Sequence, residues 1–168
     1  MVRYLRIELN TPPNVRLYHE VGQGCSSGRA HYAILITQYY FQMKTIINTK
    51  KAPAPIGPYS QAVQAGNMLF ISGQIAIDPS TEQVINGTVE DEAKRVMQNI
   101  EELLSAANYT FENVIKTSIF LSDMKHFAAV NEIYGSYFNS EFPARETVAV
   151  LGLPKNVNVE ISVTAYKA

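Results

Sequence analysis

Arg145 is one of only two arginines between Met43 and the C-terminus, a stretch in which lysine carries almost all other positive charge. It stands in Phe142-Pro143-Ala144-Arg145-Glu146-Thr147, where a proline-fixed turn runs into a Val/Ala/Leu strand. The planar guanidinium fork grips a carboxylate through two parallel hydrogen bonds, which an ammonium point charge cannot do. Arg145 is therefore a candidate substrate anchor, and a surface ion pair is the plainer account of the same residue. The second candidate is Glu160. In the last apolar segment Val157, Val159, Ile161 and Val163 alternate with Asn158, Glu160, Ser162 and Thr164, so a strand there turns Glu160 away from the apolar row. A solvated glutamate is the plainer account of Glu160.

Other chemistries find few residues to work with. His19 and His31 lie in an N-terminal extension and His126 lies near a helix start. No His-x-His or Cys-x-x-Cys spacing suggests a metal, and Cys25 has no second cysteine to pair with. Ser72-Gly73-Gln74 is too short to specify a phosphate loop.

The elements that must position these side chains can be read from periodicity. Lys44 to Asn48 forms a short strand, and Ala52 to Tyr59 is loop because three prolines remove amide donors. Ala62 to Ala65 and Met68 to Ser72 are strands joined at Gly66-Asn67, a pair suited to positive backbone angles in a hairpin turn. A turn follows at Asp78 to Thr81. Thr88 is a helix N-cap, with Glu90, Asp91 and Glu92 in the first turn, and Ala93, Val96, Met97, Ile100, Leu103, Leu104 and Ala107 form one apolar stripe beyond it. Val114 to Leu121 is a strand. A second helix runs from about Asp123 to Asn139, with Phe127, Val130, Tyr134, Tyr137 and Phe138 on one face. Thr147 to Leu151 and Val157 to Tyr166 complete the order β-β-β-α-β-α-β-β. The pattern predicts an α+β layer pair, one mixed sheet with both helices on one face, and an apolar opposite face would call for oligomerisation.

The chain of 168 residues, 46% hydrophobic and 17% charged, fits one globular domain rather than a disordered segment. No apolar run reaches the roughly 18 to 20 residues that span a bilayer, so a soluble protein with no membrane partner is expected, in a reducing cytoplasmic or organellar compartment, the cytoplasm being the first choice. Basic-residue choice changes at Met43. Residues 1–42 hold four arginines, no lysine and two acids, a charge of +2; residues 43–168 hold eight lysines, two arginines and thirteen acids, a charge of −3. The first segment lacks sustained periodicity, with one short apolar stretch from Tyr32 to Ile36. Tyr39-Tyr40-Phe41-Gln42 resembles the end of a viral-protease tag-cleavage site, although Thr37 stands where glutamate is usual. Residues 1–42 are read as a leader added for expression, against the alternatives of an organellar transit peptide or a small interaction element; residues 43–168 are the functional domain.

From Met43 to Lys167 the chain resembles the YjgF/RidA family of reactive-intermediate deaminases. The matching stretches are Ala52 to Gln61 (APAPIGPYSQ), Asn67 to Ile75 (NMLFISGQI), Val114 to Thr117, Val130 to Tyr134, Phe142 to Arg145, and Leu153 to Lys155 followed by Val159 to Ile161. The resemblance implies a chorismate-mutase-like fold, a homotrimer whose sheets form a central barrel, and ligand clefts between subunits. It implies hydrolysis of 2-imino or enamino acids, such as 2-aminoacrylate or 2-iminobutanoate, to 2-oxo acids and ammonia, with no cofactor. Carried across by position, it makes Arg145 the carboxylate anchor and Glu160 the residue that polarises water; Tyr59 and Ser72 line the cleft and Asn131 lies near the subunit boundary. Many members have Ser-Cys where this chain has Glu146-Thr147. Thr147 still offers a backbone amide to substrate, and the change leaves substrate preference open. The alternative is a regulatory module sensing a small carboxylate or purine in the same cleft. Ribonuclease and translation-inhibitor activities are attached to some members, but a domain charge of −3 with few arginines disfavours nucleic acid as a partner.

Overall fold

The computed structural model describes residues 44–85 and 87–168. The leader assignment for residues 1–42, together with Cys25, His19, His31 and the apolar stretch at 32–36, lies outside the described residues.

Six strands build one sheet in the order β1-β2-β3-β6-β4-β5. They are β1 (Thr45–Ile47), β2 (Ala62–Ala65), β3 (Met68–Gln74), β4 (Val114–Leu121), β5 (Ala144–Ala149) and β6 (Val159–Tyr166). Neighbours are antiparallel except β4 and β5, which are parallel, so the sheet is mixed. The helices are α1 (Val89–Ala106) and α2 (Phe127–Gly135). Alternation decides which face they cover. Leu69, Ile71, Ile119, Leu121, Val159, Ile161 and Val163 are buried in one cluster with Val96, Met97, Ile100 and Leu103 of α1 and Val130 and Tyr134 of α2. The predicted α+β layer pair is what forms.

Local chemistry sets the element ends. Thr88 caps α1 reciprocally: its Oγ1 accepts the Asp91 N–H at 3.3 Å, and the Thr88 N–H donates to Asp91 Oδ2 at 3.0 Å. The β2–β3 hairpin closes with Ala65 opposite Met68. Only Gly66 of its two turn residues takes a positive φ, 58°, so Asn67 keeps an ordinary backbone where positive angles were expected of the pair.

Strand β1 is one residue shorter at each end than the sequence reading and β6 begins at Val159 rather than Val157, and three other elements differ in ways that bear on the site. Strand β3 runs to Gln74 rather than stopping at Ser72, because a bulge between Ile71 and Gln74 lets it resume pairing at Gln74 opposite Ile161. Strand β5 begins at Ala144, not Thr147, because parallel pairing with β4 starts at Lys116 opposite Ala144; Arg145 therefore sits inside a strand and not in the turn before it. The second helix is shorter than the apolar pattern. Asp123 caps a 3-10 turn over Met124–His126 before α2 begins. After Gly135 the chain tightens into bonds from the Tyr137 N–H to the Tyr134 carbonyl and from the Phe138 N–H to the Gly135 carbonyl. Tyr137 and Phe138 still face the core, their ring centroids 5.1 and 5.5 Å from that of Phe111.

The other face of the sheet carries Ile46, Phe70, Val148 and Tyr166, each more than two-fifths exposed. Among the described residues nothing covers it.

Candidate functional site

Arg145 lies on the edge strand β5, in register with Thr117 of β4, which is in turn opposite Val163 of β6. Thr117 and Val163 are buried under the helices, so Arg145 belongs to the helix-side face. Helix α2 receives it. Phe127, Asn131 and Tyr134 are spaced to form one stripe, and the guanidinium carbon lies 5.0 Å from the Tyr134 ring centroid and 5.8 Å from that of Phe127. Arg145 Nη1 donates to Asn131 Oδ1 at 2.8 Å. The Tyr134 hydroxyl donates to Thr117 Oγ1 at 3.2 Å, fixing the platform beneath the guanidinium. Burial pushes the Tyr134 phenol up, against smaller opposing effects of Thr117 and the Arg145 charge. Thr147 follows two residues later on the same face, its Oγ1 buried without a partner among the described residues.

Glu160 belongs to the opposite face. It is in register with Phe120, between the buried residues Val159 and Ile161. Gly73, inside the β3 bulge, lies over its carboxylate so closely that a Cβ on Gly73 would collide with Glu160 Oε1. The glycine lets the backbone lie close to the carboxylate, and a side chain there would force the end of Glu160 to shift. Burial raises the Glu160 carboxyl above its ordinary value, and desolvation is the single cause.

Tyr59 and Ser72 gather around the same bulge. Ser72 Oγ donates to the Ser60 carbonyl at 2.7 Å, and the Ser72 N–H donates to the Gln61 carbonyl at 3.1 Å. These bonds tie the proline-rich loop to β3. Tyr59 accepts the Ile56 N–H at its hydroxyl, at 3.3 Å, and shares a shallow pocket with Pro53, Ala54, Gln61 and Gly73. The loop itself is stapled by buried Gln61, whose Nε2 donates to the carbonyls of Thr49, Ala52 and Pro53 at 3.0, 3.0 and 2.8 Å.

The six residues singled out in the sequence therefore fall into two groups, Arg145 with Asn131 and Thr147, and Glu160 with Tyr59 and Ser72. The sheet separates them within one chain. Sequence reasoning passed over Gly73 and Tyr134 as parts of these groups. A glycine in an otherwise β-rich run signals the first, and the Phe127-Asn131-Tyr134 spacing signals the second. Glu146, beside Arg145, faces the other way and is held by Ser118 Oγ and Lys116 Nζ, whose bonds keep its carboxyl below the usual range. Among the described residues no three His, Cys, Asp or Glu side chains cluster as metal ligands, and no helix is long and apolar enough to cross a membrane.

The model of the endoribonuclease L-PSP family matches residues 49–167. A 2-iminobutanoate/2-iminopropanoate deaminase of Mus musculus is 48% identical over 125 residues, covering 74% of this chain and 93% of the mouse protein. The crystal structure of RidA from the Antarctic bacterium Psychrobacter is similar with a TM-score of 0.71 and 39% identity, covering 73% of this chain and 99% of that one. The crystal structure of E. coli TdcF with bound serine is similar with a TM-score of 0.71 and 37% identity, covering 74% of this chain and 99% of that one.

Proposed function

We propose, from the premise that this chain belongs to the YjgF/RidA (endoribonuclease L-PSP) family, that it is a deaminase hydrolysing short 2-imino acids, and their enamine tautomers, to 2-oxo acids and ammonia. The supporting observation is the pair of surroundings just described: an arginine fork pinned on an aromatic platform, and a glutamate whose carboxyl is raised by burial.

The division of labour follows from chemistry. Arg145 accepts the substrate carboxylate, with Asn131 and the α2 rings holding the guanidinium so that little orientation is lost on binding. Water adds to the carbon of the protonated imine while Glu160 takes a proton from it, giving a neutral tetrahedral carbinolamine. Glu160 returns that proton to nitrogen and then takes the hydroxyl proton as the C–N bond breaks, so ammonia leaves and the C=O bond of the 2-oxo acid forms. A carboxyl raised toward neutrality suits both halves of that cycle, since it must hold a proton as readily as it releases one. Tyr59 and Ser72 shape the wall beside Glu160, and Thr147 extends the anchor side. The reaction as written needs no cofactor.

Two residues on opposite faces of one sheet serve one substrate only if two copies of the chain bring them together. The proposed assembly is a homotrimer with clefts between subunits, built on the uncovered sheet face and on edge strand β5. The domain carrying the activity is residues 43–168, with residues 1–42 a leader that takes no part.

Ammonia release from 2-imino acids supplied by an imine-generating enzyme tests this reading. Accelerated release is expected; saturable binding of a 2-oxo acid without release would instead identify a regulatory binding module. Light scattering checks the assembly, and a stable monomer at micromolar concentration would remove the shared cleft.

A further inference from the structure

We propose that Glu92 of α1 is a positioning residue for Glu160, acting through Asn158; this rests on the reading of Glu160 as the carboxylate that handles the water. Glu92 is buried, 5% exposed, in a helix whose neighbouring stripe is apolar. Its Oε2 accepts the backbone N–H of Asn158 at 2.7 Å and its Oε1 accepts Asn158 Nδ2 at 2.6 Å. Asn158 is gripped from the other side by Ser122, whose N–H donates to the Asn158 carbonyl at 3.0 Å and whose Oγ donates to Asn158 Oδ1 at 2.9 Å. The main chain is thus fixed two residues before Glu160, at the point where β6 begins.

The same helix face holds the strand that confronts Glu160. One turn on, Arg95 Nη2 donates to Asp78 Oδ2 at 3.0 Å, and a further turn on, Asn99 Nδ2 donates to the carbonyls of Ile75 and Ile77 at 3.2 and 3.0 Å. Residues 75–78 follow directly from β3, whose bulge presses Gly73 against the Glu160 carboxylate. One polar stripe of α1, Glu92-Arg95-Asn99, therefore clamps the segment leaving β3 and the segment entering β6. The gap between Gly73 and Glu160 is set by both.

Among the described residues no cation pairs with Glu92; a carboxylate buried in that way is expensive, and an apolar side chain of similar volume serves packing as well or better. What leucine cannot supply is a charge-assisted acceptor aimed at the Asn158 backbone, which fixes a position rather than merely filling space. Catalysis by a positioned proton carrier is sensitive to that, since displacements of about 1 Å cost about a hundredfold in rate.

The test uses the full chain with Glu92→Leu, Glu92→Gln and Asn158→Ala, each alone and combined with Glu160→Gln. Ammonia release from 2-iminobutanoate generated in the assay gives kcat and KM, and calorimetric binding of 2-oxobutanoate reports the arginine side. Glu92→Leu should lower kcat about tenfold or more with KM and 2-oxobutanoate affinity unchanged, and should move the acid limb of the pH profile. Glu92→Gln, which keeps one acceptor for the Asn158 N–H, should recover much of that loss. In the Glu160→Gln background, Glu92→Leu should cost nothing further. An equal loss in both backgrounds would show that Glu92 acts on the fold at large and would overturn the proposal. Should Glu92→Leu fail to fold, Asn158→Ala decides, because it keeps the backbone bond and loses only the side-chain ones: a fall in kcat of about two- to fivefold with a displaced pH limb is expected, and an unchanged profile overturns the role. No ammonia release by the unaltered protein would sink the deaminase reading itself, whereas wild-type turnover in Glu160→Gln would sink the reading of Glu160 as the proton carrier and the role of Glu92 with it. Slow turnover there beside wild-type turnover in Glu92→Leu and Asn158→Ala would sink the positioning role alone.

Discussion

Arg145 and Glu160 sit on opposite faces of one sheet, and their surroundings differ. The arginine is on an edge strand, exposed, and held by a hydrogen bond from its Nη1 to Asn131 and by the Tyr134 and Phe127 rings, all from one short helix. The glutamate is on an interior strand, half-buried, with glycine backbone against its carboxylate and burial as the one influence on its pKa. One group is aimed by its neighbours; the other has its carboxyl raised above the ordinary value by burial. An anchor must hold a full charge throughout the reaction, whereas a proton carrier must lose and regain one, so the two cannot share a dielectric setting.

The largest effect that can break this contrast is in Glu160→Gln. Turnover is expected to fall by about 10² or more while binding of an unreactive 2-oxo acid persists, since glutamine keeps the shape but cannot carry the proton. Loss of binding together with turnover would show that Glu160 is an anchor as well.

Mixing the two half-sites sharpens the comparison further. Glu160→Gln and Arg145→Lys proteins, unfolded together and refolded, should regain activity in about a quarter of sites if each cleft takes its arginine and glutamate from different copies. Activity no higher than the average of the two separate variants would place both residues in one chain's site, against the sheet geometry.

For Arg145→Lys the expected loss is smaller. Lysine keeps the charge and loses the fork, and about 1.5 to 3 kcal/mol of charged hydrogen bonding corresponds to roughly tenfold or more in kcat/KM. That loss should appear in 2-oxo acid affinity as well, whereas none is expected there for Glu160→Gln.

A pH titration separates the halves without touching Arg145. Because burial raises the Glu160 carboxyl, the folded protein holds that proton more tightly than the unfolded chain does. Stability from this group is therefore fully present below the ordinary glutamate pKa and is lost as pH rises through the raised folded value. Denaturant melts should show that decline in wild type and a flatter profile in Glu160→Gln, and the acid limb of kcat/KM should lie above the usual carboxylate range. An acid limb at the ordinary glutamate value would show that the group titrating in the free enzyme is not a buried Glu160.

The smallest expected effect is the removal of residues 1–42. Melting temperature and turnover should both stay near those of the full chain, measured by calorimetry and ammonia release, and a large drop in either would give that segment a structural role.

Much of the scaffold could be read from local signals because those signals are short-range. The Thr88 cap, the Gly66 turn, the α1 stripe and the β6 alternation each depend on residues within a few positions of one another, and alternation also placed Glu160 away from the apolar row. The misplacements came where a distant partner decided. Parallel pairing with β4 drew β5 back to Ala144 and changed Arg145 from a turn residue into a strand residue. The bulge at Ser72-Gly73 made an unpromising tripeptide into the wall against Glu160. Glu92 read as helix-dipole charge in a first turn, and only its contact with Asn158, sixty-six residues away, shows it buried and used.

By itself the sequence determined the layer pair and the family, and it singled out Arg145 and Glu160 as candidates. Tertiary structure decided that these two residues lie on opposite faces. The parity of a side chain within its own strand is a local property, but whether two strands present their residues to the same side depends on register and bulges, and these are fixed by pairing between segments far apart in the chain.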